Sequence, residues 1–231
     1  TTMMLRPLKT LLTLALCLPL LVSCASSTTA SIPVGCEQAS SPCLQGQATV
    51  ELITSKGSIT LELDGDAAPV TAGNFLDLVK RGAYNGTVFH RVVRDPVPFV
   101  VQGGDPSSSD PSTPKSQYGT GSFVDPTTGQ ARFVPLELGF KGEDQPRYGR
   151  VVSNPSELLQ LKLSHERGAL AMARSQAPDS ASAQFYIALK PLPELDGRYA
   201  VFGRVSEGLE VVDAIRQDDT IKKATVLTPG L

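Results

Sequence analysis

The sequence predicts a mainly β domain, in which short antiparallel strands close into a barrel capped at its ends by two α-helices. Three observations carry that prediction. The 231 residues include 18 prolines and 20 glycines but no tryptophan, a composition of frequent turns rather than long apolar helices. Short segments alternating apolar with polar residues recur along the chain, as half-buried strands do. Two stretches show an amphipathic helical repeat, and many short strands with two helices fit a closed antiparallel barrel.

The elements follow in order. Residues 48–54, the turn Ser55-Lys56-Gly57 and residues 58–63 form a hairpin, because Ile59, Leu61 and Leu63 alternate with Ser58, Thr60 and Glu62. Pro69 opens a helix to about residue 81, with Phe75, Leu76 and Val79 at helical spacing and Gly82 as its stop. Strand signals resume at 87–93 and 99–103. Residues 106–165 form a long insertion loaded with Pro, Gly and Ser, holding one strand-like piece at 132–138 and a short helix at 155–163. Strands follow at 169–173, 183–189 and 199–205. A second amphipathic helix at 208–217 carries Leu209, Val212 and Ile215 on one face, and a last strand spans 220–227.

Upstream of this domain, residues 1–23 read as an export signal. Arg6 and Lys9 precede a leucine-rich run too short to span a bilayer. Leu21-Val22-Ser23-Cys24 then looks like a bacterial lipobox, which makes Cys24 the acylated residue of a membrane-anchored, extracytoplasmic lipoprotein; the simpler alternative is a secretory signal cleaved near Ala25 or Ala30. Residues 24–45 form a flexible tether and 46–231 the folded domain. Cys36 and Cys43, in a Ser/Pro-rich stretch, can close a disulfide loop in an oxidising compartment, with two free thiols the alternative. Removing the leader takes the net charge from −2 to about −4, with no basic excess to track a phosphate backbone, so nucleic acid is not an expected partner.

The chemistry is equally selective. No G-x-S-x-G, Walker loop, H-E-x-x-H or paired C-x-x-C motif occurs, and the two histidines, His90 and His165, have no metal partner by spacing, so neither metal nor cofactor is expected. His90 reads as a structural histidine and His165 as a surface loop residue. What remains is a dense cluster, Phe89-His90-Arg91-Val92-Val93 followed by Phe99-Val100-Val101-Gln102-Gly103-Gly104-Asp105. An arginine on one strand and a glutamine on the next could share a face beside Phe99, giving a small apolar pocket with a planar cation and an amide.

With these residues in view the chain resembles the cyclophilins: FHRVV, FVVQGGD, GALAMAR, AQFYIAL and LDGRYAVFGRV look like cyclophilin motifs in cyclophilin order, over residues 46–228. The resemblance is closest to the bacterial and plastid-lumen branch, where VPLELGFKGE also belongs. It implies an eight-stranded antiparallel barrel with two capping helices, acting as a monomer on X-Pro bonds of peptides and unfolded exported proteins. By the same resemblance, Arg91, Gln102 and Phe99 are the catalytic residues, and Val100, Ala173, Arg174, Tyr186, Leu195 and Tyr199 bind substrate. Arg91 would donate to the prolyl nitrogen or its carbonyl, and Gln102 would orient Arg91. The alternative is a proline-peptide-binding scaffold without turnover.

This sequence departs from the family at several of those positions. Glu194 stands where many members have tryptophan, Tyr199 where they have histidine, Arg174 where they have asparagine and Tyr186 where they have phenylalanine. These changes imply weak cyclosporin binding. Residues 94–98 lengthen the loop beside the site, and the 106–165 insertion exceeds that of compact members.

Overall fold

The computed structural model describes residues 35–229; the leader at 1–23 and the lipidation site at Cys24 lie outside the described residues. β1 (Gln47–Thr54) and β2 (Gly57–Asp64) form the first hairpin, in register from Gln47 opposite Asp64 to Thr54 opposite Gly57. Its turn requires Gly57, whose φ of 136° strains any L side chain. On β2, Ile59, Leu61 and Leu63 are buried while their neighbours are less so, as the alternation predicts.

α1 (Pro69–Lys80) follows, with proline in its first turn. β3 (Arg91–Val92) and β4 (Val100–Gly103) pair antiparallel, then the insertion contributes β5 (Glu137–Leu138), β6 (Arg147–Tyr148) and α2 (Pro155–Leu158). The chain ends with β7 (Ala169–Met172), β8 (Phe185–Ala188), β9 (Val201–Glu207), α3 (Leu209–Ala214) and β10 (Ile221–Thr228).

Eight strands make one curled antiparallel sheet in the order β10-β1-β2-β9-β7-β8-β4-β3, with β5 and β6 paired separately. The expectation of a closed barrel is corrected: no ladder joins the edge strands β3 and β10. Among the described residues, the flanking segments meet in an isolated bridge between Val88 and Thr220. The physical reason is length. Residues 86–89 bond to 218–221 through Gly86 N–H to Ile221 O and Phe89 N–H to Asp219 O, both 2.8 Å, and β3 retains two residues, too few to continue a ladder. Three α-helices stand among the described residues: the two expected to cap the sheet and the short insertion helix expected at 155–163, which spans only Pro155–Leu158.

The strand period of two explains the interior. One face of the sheet packs with α1 into a large core around Leu52, Ile59, Leu61, Phe75, Leu170, Phe185, Ile187 and Phe202. β7 and β8, however, are buried on both faces. Leu170, Met172, Phe185 and Ile187 join the large core, whereas the alternating Ala169, Ala171, Tyr186 and Ala188 join a second apolar cluster on the other face. That second cluster is the ground on which the site is built.

The insertion is folded, with its own small core of Leu136, Leu138, Phe140, Val152 and Leu161. It also completes α1. Ala68, before Pro69, offers no side-chain cap, so the first helical N–H groups need acceptors from elsewhere. Glu137 supplies them: its carboxylate accepts from Val70 N–H at 3.1 Å and Thr71 N–H at 2.8 Å. Arg132, nearly fully buried, adds a second link by donating to Asp77 on the same helix at 2.7 Å.

The N-terminal segment also lies on α1. Cys36 and Cys43 are joined by a disulfide with Cα atoms 5.8 Å apart. Leu44, placed by the sequence at the end of the tether, is 3% exposed and its N–H donates to Pro69 O at 3.0 Å. Gly73 permits this approach, because a Cβ there would stand 2.1 Å from Pro42 O. Packed structure therefore begins before residue 46.

Candidate active site

The second apolar cluster gathers the predicted pocket. Val100 from β4 and Tyr186 from β8 are buried in it, and Phe99, Ala173, Leu195 and Tyr199 pack against it partly exposed. A floor of buried side chains with a rim of half-exposed ones is the form of a small apolar recess. These six residues come from four separate stretches of chain, brought together because β4, β8 and β7 are neighbours in the sheet.

Arg91 sits at the edge of this recess. Register places it opposite Gln102 across β3 and β4, and places Gln102 opposite Tyr186 across β4 and β8. Arg91 Nη1 donates to Gln102 Oε1 at 3.3 Å, and the guanidinium lies 5.7 Å from the Phe99 ring centroid, within cation–π reach. Gln102 Nε2 donates to Gln184 Oε1 at 3.2 Å, and Gln184 Nε2 donates to Gly121 O at 2.9 Å. Gly121 N–H in turn donates to Asp105 at 3.1 Å, and the same carboxylate accepts from Gly119 N–H at 2.6 Å and from Ser107 N–H and Oγ. Burial opposes charge on Asp105, but these bonds prevail and hold its pKa below the usual carboxylate range. A fixed anion therefore anchors a chain of oriented dipoles that ends at Arg91.

His90, beside Arg91, is pushed below the ordinary histidine pKa chiefly by burial, against the pull of Asp105. It is neutral at pH 7 and adds no charge next to the guanidinium.

The expectation that His165 lies on the surface is corrected. His165 is 2% exposed; its Nδ1 is 2.7 Å from Asp196 Oδ1 and its Nε2 is 2.8 Å from the Tyr186 hydroxyl. The reason is the tyrosine itself, since a buried hydroxyl on the pocket floor needs a polar partner.

Arg174 spends most of its donors on the protein's own backbone. Its Nε and Nη2 donate to Arg198 O at 2.9 and 2.6 Å, its Nη1 donates to Ser175 O and Gln176 O, and its guanidinium lies 4.7 Å from the Tyr199 ring centroid. It braces the rim. Beyond it, a cleft of about 330 Å³ runs from Gln102 and Gln184 past Ala173 to the insertion's half-exposed Phe133.

Gln184, Asp105, His165 and Asp196 belong to the site but are not singled out as functional by the sequence. Gln184 had a usable signal as the polar residue of AQFYIAL, and Asp105 as the last residue of FVVQGGD; His165 and Asp196 are recognised only through contacts distant in sequence. Among the described residues no group of three or more His, Cys, Asp or Glu side chains is placed to hold a metal ion. The arrangement can grip a compact ring, exclude water and present a directed cation.

Comparison with known proteins identifies the family. A Synechocystis relative, whose name places it in the thylakoid lumen among peptidyl-prolyl cis-trans isomerases, is 39% identical over 202 residues, 83% of this chain. The chain spans 50% of that relative's length. A Helicobacter pylori peptidyl-prolyl cis-trans isomerase is 36% identical over 77% of this chain and 86% of its own. A Cryptosporidium parvum cyclophilin-type isomerase, crystallised in the presence of the dipeptide Ala-Pro, superposes with a TM-score of 0.56 at 25% identity, covering 78% of this chain and 99% of its own. The model of the cyclophilin-type peptidyl-prolyl cis-trans isomerase family matches residues 49–229. A sheet that buries β7 and β8 on both faces, an arginine fixed at the rim of the resulting recess, and a family match over residues 49–229 lead to one assignment: this chain belongs to the cyclophilin-type peptidyl-prolyl cis-trans isomerase family.

Proposed function

We propose that this protein is a peptidyl-prolyl cis-trans isomerase that accelerates X-Pro isomerisation in exported or envelope proteins. The observation that carries this reading is Arg91, held by Gln102 over Phe99 at the edge of the Val100–Tyr186 recess. An X-Pro bond is nearly balanced between isomers but interconverts across a barrier of about 18–20 kcal/mol, because conjugation keeps the amide planar. A catalyst of this step needs no nucleophile. The recess takes the proline ring, its apolar walls remove water from the twisting amide, and Arg91 donates to the prolyl nitrogen as its lone pair leaves conjugation. Because the dipole chain from Asp105 fixes the guanidinium in advance, little reorganisation accompanies the step.

The cleft beyond Gln102 and Ala173 accommodates the peptide on one side of the proline. A non-catalytic peptide-binding role is the second reading, favoured by Arg174, which spends its donors on the protein's own carbonyls, and by Glu194, exposed at the rim.

The working place we propose is outside the cytoplasm, with Cys24 lipidated after removal of residues 1–23. The lipobox-like Leu21-Val22-Ser23-Cys24, the Cys36–Cys43 disulfide and the lumenal name of the Synechocystis relative support it. Cys24→Ser would then move the protein from membrane to soluble fractions.

The deciding experiment is NMR exchange of a short X-Pro peptide with residues 25–231, beside Arg91→Ala, with circular dichroism confirming both folds. Acceleration by wild type and its loss in the variant support isomerisation. Binding of the peptide without acceleration would establish the recognition module instead.

A further inference from the structure

Tyr186 forms the floor of the recess, yet its position asks only for a ring: it is 4% exposed, among Val100, Ala171, Ala188 and Val201. A phenylalanine would fill that space with no polar atom to satisfy. The hydroxyl instead opens a buried chain, Tyr186 to His165 to Asp196, with contacts of 2.8 and 2.7 Å. The next residue along, Leu195, packs against the same apolar cluster. The chain therefore ties the floor of the recess to its lip.

The direction of each hydrogen bond follows from the acids at one end. Asp196 Oδ1 accepts from His165 N–H at 2.8 Å and, as a carboxylate, also accepts from Nδ1. Nδ1 then carries the ring proton, Nε2 is the acceptor, and the Tyr186 O–H donates to it. The tyrosyl ring stacks on the imidazole with 12° between planes and meets Tyr199 edge-on at 84°. Position and proton direction are thus fixed together.

We propose that His165 and Asp196 are positioning residues of the isomerase pocket, holding the Tyr186 hydroxyl proton away from the bound proline so that the recess presents only the tyrosyl ring. This rests on the isomerase reading. It predicts a pocket that works best while His165 is neutral. Asp196 and Glu194 face His165 and favour its protonation, but burial outweighs them and holds its pKa below the ordinary value; Tyr199 and Arg174 face Tyr186. Protonation turns Nε2 into a donor. The tyrosyl proton loses its acceptor, and a polar O–H is set loose in an apolar recess.

The test is the pH profile of kcat and KM between about pH 5 and 8 for residues 25–231 with an X-Pro peptide, with peptide Kd measured by titration at each pH and circular dichroism confirming the fold. We expect wild type to be level above the ordinary histidine pKa and to lose about fivefold in kcat/KM below it, the size of one hydrogen bond, chiefly through KM. Tyr186→Phe has no hydroxyl to misdirect and lacks this inflection whatever its absolute rate. His165→Gln, whose amide can bridge Asp196 and Tyr186 without titrating, also lacks it. Nitrogen NMR of the imidazole at pH 7.5 should show Nδ1 protonated and Nε2 bare.

A wild-type activity that stays flat through the His165 titration followed by the same imidazole NMR, an inflection that survives in Tyr186→Phe and so belongs to His90 or a carboxyl, or the opposite tautomer each overturns the proposal. A folded wild type that binds peptide without turnover sinks the isomerase reading alone, and the pH dependence of Kd in the same variants then decides the positioning role.

Discussion

Gln102 and Gln184 hold each other's amides in one orientation: Gln102 Nε2 donates to Gln184 Oε1 at 3.2 Å, and Gln184's own Nε2 is committed to Gly121 O at 2.9 Å. The consequence reaches Arg91. With its nitrogen engaged, Gln102 turns Oε1 toward the guanidinium, and an amide flipped the other way would set donor against donor.

Removing Gln184 should therefore disturb catalysis more than stability. Gln184→Ala leaves Gln102 free to flip, and we expect kcat/KM to fall about tenfold while the urea midpoint moves little, since the side chain is only partly buried. Equal losses of stability and activity would mean that Gln184 serves packing alone.

Glu137 is the insertion's contribution to the fold, and its loss should be felt in α1. Glu137→Ala strips two buried N–H groups of their acceptor and should cost about 1–2 kcal/mol in urea unfolding. The pH dependence has a definite sign. Burial holds the Glu137 carboxyl above its usual range, against the bonds from Thr71 and Val70. Its stabilising contribution is therefore complete below the unfolded value of about 4.5 and declines as pH rises through the folded-state value. The stability gap between wild type and Glu137→Gln should narrow over that rise; a gap that widens would show the helix terminus outweighing burial.

Local pattern carried much of this fold. β2 was legible because Ile59, Leu61 and Leu63 alternate within a single strand, and α1 because Pro69 marks its first turn. The predicted strand at 87–93 shrank to Arg91–Val92 because its first residues meet 218–221, at the start of β10, in an isolated bridge rather than in a continuous ladder. Strand pattern alone put Arg91, Gln102 and Phe99 in one candidate pocket, whereas Ala173, Arg174, Tyr186, Leu195 and Tyr199 were reached only through family resemblance, which carries side-chain identity at matched positions. Nothing local to His165 reveals burial: its partners stand 21 and 31 positions away. Glu137 reaches Thr71 across 66 positions, so an exposed-looking acid in a polar insertion turned out to cap a helix.

The Cys36–Cys43 disulfide should matter to stability and not to turnover. It fastens the segment that carries Leu44 onto α1, and the cleft it lines, with Glu37, Asp66, Glu143 and Lys162, includes no pocket residue. Closing so short a loop is worth about 2–3 kcal/mol on loop entropy. Thermal scans with and without reductant should differ by about 5–10 °C, with kcat/KM at 25 °C retained; a matching loss of activity would tie the strap to the site.

Arg174 offers the sharpest separation of binding from chemistry. Its guanidinium ties β7's end to Arg198 O, closes the 174–176 turn through Ser175 O and Gln176 O, and covers the Tyr199 ring. None of these partners is Arg91, Gln102 or Phe99. Arg174→Ala should loosen the rim where Ala173 and Tyr199 meet the peptide, raising KM by about fivefold with kcat nearly unchanged. Arg174→Lys should not restore it, because one ammonium cannot reach three carbonyls and stack on a ring at once. A fall in kcat with unchanged KM would instead place Arg174 among the groups that act in the transition state.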